Sequence, residues 1–318
     1  MISSEIVKEF NDIKTVSIFT HINTDGDAIG SAFCFYEYFK GLGKEVNVYC
    51  DSDLPEMLEF LNVKELINKN NNYKTDLSIA VDCNDSARIG KFERDFYNAK
   101  KTIQFDHHPG NPSFAKYNLV NSNMSSTCEL LYTFFTDNNL EITKEMARFL
   151  LVGILTDTGG LRFSCTSNCT LKIVAEIVDK YDLKIYEFMS NIFETQSHKN
   201  FIALSYAYNN AKFYEDNKIV LITIPYEFYK ENGIQPNQII NLTKIATELK
   251  DTVVSAVISE EKKNVCKVSF RSHKGYDVRN CAMVFGGGGH KAAAGCKIFG
   301  NIESTAEKVL KSMMDGIE

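Results

Sequence analysis

No run of apolar residues in the chain approaches the ~20 needed to cross a bilayer as a helix. The opening Met-Ile-Ser-Ser-Glu-Ile-Val-Lys-Glu-Phe has no basic stretch followed by an apolar core, so no secretory leader is expected. Surplus positive charge is also missing: 35 Lys and Arg face 41 Asp and Glu, giving a net charge of −6 and a pI near 5.6. A protein that works mainly on long nucleic acid normally presents a broad basic surface, so that role is disfavoured. Short nucleotides at a metal site remain open, because the cations would bring the positive charge. The nine cysteines are an odd number, and Cys165 and Cys169 have no second pair to complete a zinc site. Reduced, mostly buried thiols in a cytoplasmic protein are the expectation. There is no internal repeat and no low-complexity segment; Asn68–Asn72 reads as a polar surface loop.

The residues that are present suffice for substantial cores. The chain has 318 residues, 44% of them hydrophobic, and two domains are the natural expectation. The first half alternates strand and helix. Val16–Ile22, Glu45–Cys50, Asp76–Cys83 and Lys101–Phe105 read as strands. Asp27–Phe39, closed by Gly41 and Gly43, and then Ser125–Asn138 and Thr143–Leu155 read as helices. This predicts an α/β fold: an N-terminal, mostly parallel sheet with helices on both faces. Residues 168–210 contain no Gly or Pro and are helical in pattern. Strands are then expected at Lys218–Ile224, Thr252–Ser259 and Val265–Phe270, with a final helix near Ser304–Met314. The expected division is a catalytic domain over 1–185, a helical connector over 186–211 and a smaller C-terminal α+β domain over 212–318.

Four short clusters carry the chemistry. They are His21-Ile-Asn-Thr-Asp25-Gly-Asp27, Ala80-Val-Asp82, Gln104-Phe-Asp106-His107-His108-Pro and Leu155-Thr-Asp157-Thr. All but the last come directly after a strand-like run. In parallel α/β sheets, ligands bind beyond the carboxyl ends of the strands, so these clusters should converge. Asp25, Asp27, Asp82 and Asp157 with His21 and His107 supply four carboxylates and two imidazoles. That set suits two divalent cations of the Mn²⁺ type, whose charge would balance the acids. Without cations, the converging acids would repel one another and be costly to bury. Taken singly, Asp25 or Asp27 could be a helix N-cap, and Asp82 or Asp157 a turn residue. Capping needs one acid, however, and not two acids and a histidine.

A second pattern lies far downstream. Gly286-Gly-Gly-Gly289-His290 comes after a helix-like apolar stretch, and its backbone N–H groups could approach an anion closely. Arg271-Ser272 closes the strand just upstream, where a guanidinium could grip a phosphate with two hydrogen bonds. Alternatively, Arg271 is a solvated strand-end charge and the glycines a flexible turn.

On the strength of these runs, the chain resembles the DHH phosphoesterase superfamily, subfamily one, with its C-terminal DHH-associated domain. The resemblance covers nearly the whole chain. It is strongest to the stand-alone members that degrade very short oligonucleotides and dephosphorylate 3′-phosphoadenosine 5′-phosphate (pAp). It implies that His21 and Asp25 bind a first metal, that Asp27, His107 and Asp157 bind a second, and that Asp82 bridges the two. Asp106 would orient an imidazole, and His108 would face the substrate phosphate. Arg271, Ser272 and the loop Gly286, Gly287, Gly288, Gly289 and His290 would hold the other end of the nucleotide. Two metals ~3.5–4 Å apart could activate a shared water for in-line attack on phosphorus. The expected partners are short RNA or DNA oligonucleotides or nucleotides as substrate, with no membrane and no long nucleic acid; a homodimer is left open.

The main alternative is a stand-alone phosphodiesterase for cyclic di-AMP or its linear product pApA. A RecJ-type single-strand exonuclease fits less well, since no further nucleic-acid-binding domain remains to be placed. A manganese pyrophosphatase would share the N-terminal motifs but not the Gly-Gly-Gly-Gly-His run. A non-catalytic nucleotide-binding regulator would be favoured by a missing Asp82 or His107, and both are present.

Overall fold

The computed structural model describes residues 2–70, 75–236, 239, 242–243, 248–272 and 275–315. Asn71 and Asn72 of the expected polar loop, and His273, lie outside the described residues. The chain forms two compact units, Met1–Thr195 and Gln196–Glu318. The division falls within the stretch read as a connector.

The first unit is built on five strands: β1 (Thr15–Phe19), β2 (Glu45–Tyr49), β3 (Leu77–Val81), β4 (Lys101–Asp106) and β5 (Tyr117–Val120). They lie in the order β2-β1-β3-β4-β5, and every neighbouring pair is parallel. A parallel sheet buries both faces, and here the two faces are covered unequally. Val16, Ile18, Leu77, Ile79, Ile103 and Phe105 join a large core that also holds Ile6 of α1 (Ile2–Glu9) and apolar side chains of three longer helices. Those three are the helices Gly26–Gly41, Thr127–Asp137 and Lys144–Asp157. Phe19, Tyr49 and Ala80 instead meet Ile89, Phe92 and Phe96, from a 3-10 turn at Ser86–Phe92 and a short helix at Glu93–Phe96. Taking helices in chain order, Gly26–Gly41 is α2, Glu93–Phe96 is α3, Thr127–Asp137 is α4 and Lys144–Asp157 is α5.

The strands at β1 and β3 are shorter than their apolar runs suggested. Pairing stops at Phe19 and Val81, and the next residues turn out of the sheet. The strand β5 escapes sequence reading because it is four residues long and only half-buried, with no alternation to mark it. The helices α2 and α5 cross at a pair of glycines. A Cβ on Gly30 would lie 2.5 Å from the Phe149 carbonyl oxygen and 3.1 Å from Gly153 N, so only hydrogen fits there.

The segment expected to be helical holds α6 (Asn168–Lys180), α7 (Ile185–Met189) with a π turn over Ser190–Glu194, and α8 (His198–Asn209). The second unit contains α8 and a six-stranded sheet ordered β10-β11-β9-β8-β7-β6. Its strands are β6 (Lys212–Tyr214), β7 (Ile219–Ile224), β8 (Val254–Lys262), β9 (Val265–Ser272), β10 (Gly288–His290) and β11 (Ala293–Phe299). Only β7 and β8 pair in parallel. Period-2 alternation splits the sheet between two cores. Val220, Ile222 and Ile224 pack with Ala203 and Ala207 of α8 and with Phe228 of α9 (Tyr226–Asn232). Ile219, Leu221, Val254 and Val268 pack with Val278, Ile302 and Val309, from the helices Val278–Met283 and Ile302–Met314.

All nine cysteines are free thiols. Six are buried and Cys296 is half-buried, in keeping with mostly buried thiols, while Cys165 and Cys169 are exposed. They sit in a loop and at an exposed position of the first turn of α6, where no core covers them. Among the described residues, no helix is long and apolar enough to cross a membrane.

Candidate active site

The parallel arrangement of β1, β3 and β4 brings three of the four clusters to one end of the first sheet. His21 lies two residues beyond β1, Asp82 directly beyond β3, and Asp106 ends β4 with His107 and His108 next. Asp157 arrives by another route, as the last residue of α5. Asp82 adopts φ 58, a left-handed conformation that aspartate tolerates better than most residues. Such outliers are held in place by surrounding contacts and cluster at functional sites.

The side chains meet closely. His21 Nε2 lies 3.7 Å from Asp25 Oδ2 and 3.4 Å from Asp82 Oδ2. His107 Nε2 lies 3.1 Å from Asp157 Oδ2, 3.7 Å from Asp82 Oδ1 and 4.0 Å from Asp27 Oδ2. Three overlapping groups could each hold a metal ion: His21 with Asp25 and Asp82, Asp27 with His107 and Asp157, and Asp82 with His107 and His108. Asp82 presents one oxygen to each imidazole and so stands between the first two groups.

The electrostatics of the bare protein favour a cationic occupant. Burial, with the negative charges of Asp82 and Asp157, pushes the Asp27 carboxyl well above the usual carboxylate range. Burial also lifts Asp157 to about 6, with Asp82 and Asp25 adding to it and His107 opposing. Burial works against charge on His21, but Asp25 and Asp82 outweigh it and raise the imidazole to about 10. For His107 the same conflict is won by Asp157, Asp27 and Asp82, again at about 10. Asp25 is held below its ordinary value: burial would raise it, and His21 together with the Ala28 and Asp27 N–H groups reverses that. Buried carboxylates crowded around two imidazoles match the hard oxygen and borderline nitrogen donors that Mn²⁺-type cations take. The donor set fits a pair of divalent ions.

Asp25 does cap α2, accepting from the N–H groups of Asp27 and Ala28 at 3.1 Å each. Capping and ligation are therefore compatible for Asp25. Asp27 is not a cap of its own helix. Its carboxylate receives the Thr127 N–H at 2.6 Å and the Cys128 N–H at 2.9 Å, both from the start of α4. A helix N-terminus suits a buried carboxylate, since free N–H groups and the macrodipole both favour negative charge.

Several contributors were not singled out in the sequence. The Thr127 hydroxyl donates to Asp82 Oδ1 at 3.0 Å. Buried Glu129 accepts from the Ser125 N–H at 2.9 Å, from the Ser125 hydroxyl, and from the Thr170 hydroxyl at 2.9 Å, tying the start of α4 to α6. The signal was available in Ser125-Ser-Thr-Cys-Glu129, a run of cap residues ending in an acid. Asn111 Nδ2 donates to Asp106 Oδ2 at 2.5 Å. Asp106 also accepts from the His108 N–H at 3.1 Å and pairs with His108 Nδ1 at 2.8 Å. That bond to Asp106 is the main reason the His108 pKa is raised. It occupies Nδ1 and leaves Nε2 for another partner.

In the second unit, register links two of the downstream residues. Ala293 pairs with Arg271 across β11 and β9, and with His290 across β11 and β10. Directly paired residues project from the same face, so Arg271 and His290 share one face two strands apart, about 10 Å. The Ser272 hydroxyl is engaged with the carbonyls of Tyr276 at 2.7 Å and Lys291 at 3.2 Å. The glycines are not interchangeable. Gly286 sits at φ 71 and Gly289 at φ 139, and a Cβ on Gly287 would run into the Gly295 carbonyl, whereas Gly288 has open space. Gly288–His290 is a strand rather than a loose loop.

A two-unit α/β protein whose first sheet gathers acids and imidazoles able to hold a pair of cations is the class that fold and site define. Residues 15–154 match the DHH family, N-terminal domain, and residues 216–315 match the DHHA1 domain. The chain belongs to the DHH family and is NrnA-like. A curated relative from Thermus thermophilus, "Bifunctional oligoribonuclease and PAP phosphatase NrnA", is 29% identical over 310 residues, covering 94% of this chain and 89% of the relative. The protein of the same name from Bacillus subtilis is 24% identical, covering 93% of each. Among solved structures, an exopolyphosphatase-related protein from Bacteroides fragilis superposes with a TM-score of 0.88 at 23% identity, covering 99% of this chain and 96% of that one. That likeness bears on the fold alone.

Proposed function

We propose that this chain is a two-cation phosphoesterase that hydrolyses short oligonucleotides and pAp to mononucleotides. The observation that carries the reading is Asp82, with one carboxylate oxygen toward each of two cation-binding groups. On this reading His21, Asp25 and Asp82 would hold one ion, and Asp27, His107, Asp157 and Asp82 the other. Bound there, two divalent cations would supply Lewis acidity toward a phosphoryl oxygen and a lowered pKa for an attacking water.

The chain's own residues do the rest. The N–H groups of Thr127 and Cys128 fix Asp27, and the Thr127 hydroxyl fixes Asp82. Asp106 and Asn111 hold His108 so that Nε2 can meet the phosphate. A raised pKa keeps His108 cationic over a wider pH range, as suits a group that stabilises developing charge or protonates the leaving oxygen. The water oxygen bonds to phosphorus as the P–O ester bond breaks, so that in net the phosphate gains the hydroxyl and the leaving oxygen gains the proton.

The name shared by the Thermus and Bacillus relatives supports oligoribonuclease and pAp phosphatase activity over the cyclic di-AMP alternative. We further assign Mn²⁺ as the ion, exonucleolytic attack and a cytoplasmic location. Residues 1–185 would do the chemistry and 212–318 would bind nucleotide, with 186–211 as connector. Arg271, Ser272 and Gly286–His290 would take the part of the nucleotide that is not cut. The deciding experiment challenges purified protein and Mn²⁺, in parallel, with pAp, pApA, cyclic di-AMP, an RNA pentamer, long single-stranded DNA and pyrophosphate. The expected substrates are pAp, pApA and the pentamer. Preference for pyrophosphate, cyclic di-AMP or long DNA would overturn the assignment.

A further inference from the structure

Arg88 lies outside the four acid-and-histidine clusters and outside the downstream Arg-Ser and glycine runs. It belongs to the 3-10 turn Ser86–Phe92 that comes after Asp82, and it is half-buried. Its backbone is anchored to the first cluster, since the Ile22 N–H donates to the Arg88 carbonyl at 2.7 Å. Asp85 caps the turn through the Arg88 N–H at 3.2 Å. The guanidinium is thereby placed beside a proposed ligand, with Nη2 3.2 Å from His21 Nδ1.

That neighbour is not an acceptor. His21 Nδ1 also lies 2.8 Å from the Ile22 carbonyl oxygen, and a carbonyl can only accept. Nδ1 therefore carries the proton and gives it to Ile22, which leaves Nε2 for the cation side and gives Arg88 nothing to bond. Among the described residues, no carboxylate lies within ion-pair distance of Arg88, although His21 alone reaches Asp25 and Asp82. An arginine held beside an acid cluster without an acid partner is set up for an anion from outside.

Charge balance indicates which anion. The four carboxylates of Asp25, Asp27, Asp82 and Asp157 cancel two divalent cations, and His108 is paired with Asp106, so these groups together carry no surplus positive charge for a phosphate group of nearly two negative charges. Arg88 supplies a permanent charge on the His21 side, in a planar fork that matches phosphate oxygens two at a time. We propose that Arg88 is a substrate-binding residue that grips a phosphoryl group of the nucleotide at the edge of the His21 site. This rests on the phosphoesterase reading.

The test uses the full-length protein loaded with manganese, as wild type, Arg88→Gln and Arg88→Lys. Three quantities are measured: inorganic phosphate binding by calorimetry, manganese stoichiometry, and kcat and KM for pAp. In Arg88→Gln, phosphate binding should weaken about 10- to 100-fold for a lost charge-assisted pair, with a matching rise in KM and both manganese ions retained. Arg88→Lys should recover part of the affinity, because it restores the charge but not the fork. If Arg88→Gln binds phosphate and pAp as wild type does, the proposal falls and the phosphoesterase reading stands. If both variants lose manganese, Arg88 holds His21 in place and the proposal again falls. If wild type hydrolyses none of the phosphoesters, the reading and the proposal fall together.

Discussion

Replacing Gly153 by alanine should damage the protein, although the same change in an ordinary helix would help it. Gly153 lies inside α5, where alanine is favoured over glycine by about 1 kcal/mol. At this position a Cβ would overlap Cys128 Sγ and come within 2.6 Å of Asp27 Oδ1. Both neighbours are fully buried, so neither can swing into solvent. Overpacking of this kind costs about 1–3 kcal/mol. Asp27 cannot yield freely, because its two oxygens are held by the Thr127 and Cys128 N–H groups. Leaving one of these buried N–H groups without its acceptor costs about 1–3 kcal/mol more. The net effect should be a loss of about 2–4 kcal/mol, or a fall of roughly 5–15 °C in the melting temperature of a unit this size. Manganese affinity should fall as well, since the displaced carboxylate is a proposed ligand. Urea unfolding of the metal-free protein and manganese titration would measure the two effects separately. Cys128→Ala in the Gly153→Ala background should recover part of both by opening room for the new methyl. A Gly153→Ala protein as stable as wild type, with unchanged manganese binding, would refute the packing argument.

Four further outcomes are expected. Asp82→Ala should abolish hydrolysis of every phosphoester and lower manganese stoichiometry; near-normal activity would sink the two-cation assignment. His108→Ala should lower kcat with both ions still bound, and loss of metal would instead make His108 a ligand. Arg271→Ala should weaken pAp and dinucleotide binding by about 1.5–3 kcal/mol while sparing a small chromogenic phosphodiester; equal damage to both would point to a structural role. Manganese binding should release protons. With their imidazoles raised to about 10, His21 and His107 are protonated at neutral pH in the bare protein and must deprotonate to bind metal. Affinity should therefore rise with pH toward 10, and calorimetry in buffers of different ionisation enthalpy would read the release directly; no buffer dependence would count against both histidines as ligands.

Much of this molecule is legible in the sequence, because it is written in short range. A strand shows itself as a run of β-branched residues, and a parallel sheet brings the residues just beyond its strands to one end. His21, Asp82 and His107 could therefore be grouped although they span 86 positions in the chain. The alternation of strands and helices likewise announced the α/β architecture. The Ser125-Ser-Thr-Cys-Glu129 run announced a helix start, though not which side chain that start would hold.

Tertiary structure decided the features that depend on packing between distant segments. Nothing local says that the N–H groups of Thr127 and Cys128 close on Asp27, one hundred residues away. Nor does sequence show that α5 ends so that Asp157 reaches His107, or that Gly153 is small because Asp27 and Cys128 stand against it. Arg88 was silent for the same reason: a lone arginine in a turn has no meaning until its neighbour is seen to be an N–H and not an acid. Backbone propensity acts over a few residues, so sequence alone determined the elements and the kinds of donor they carry. Which donors share a centre, and which neighbours hold them there, was set by how the helices close over the sheet.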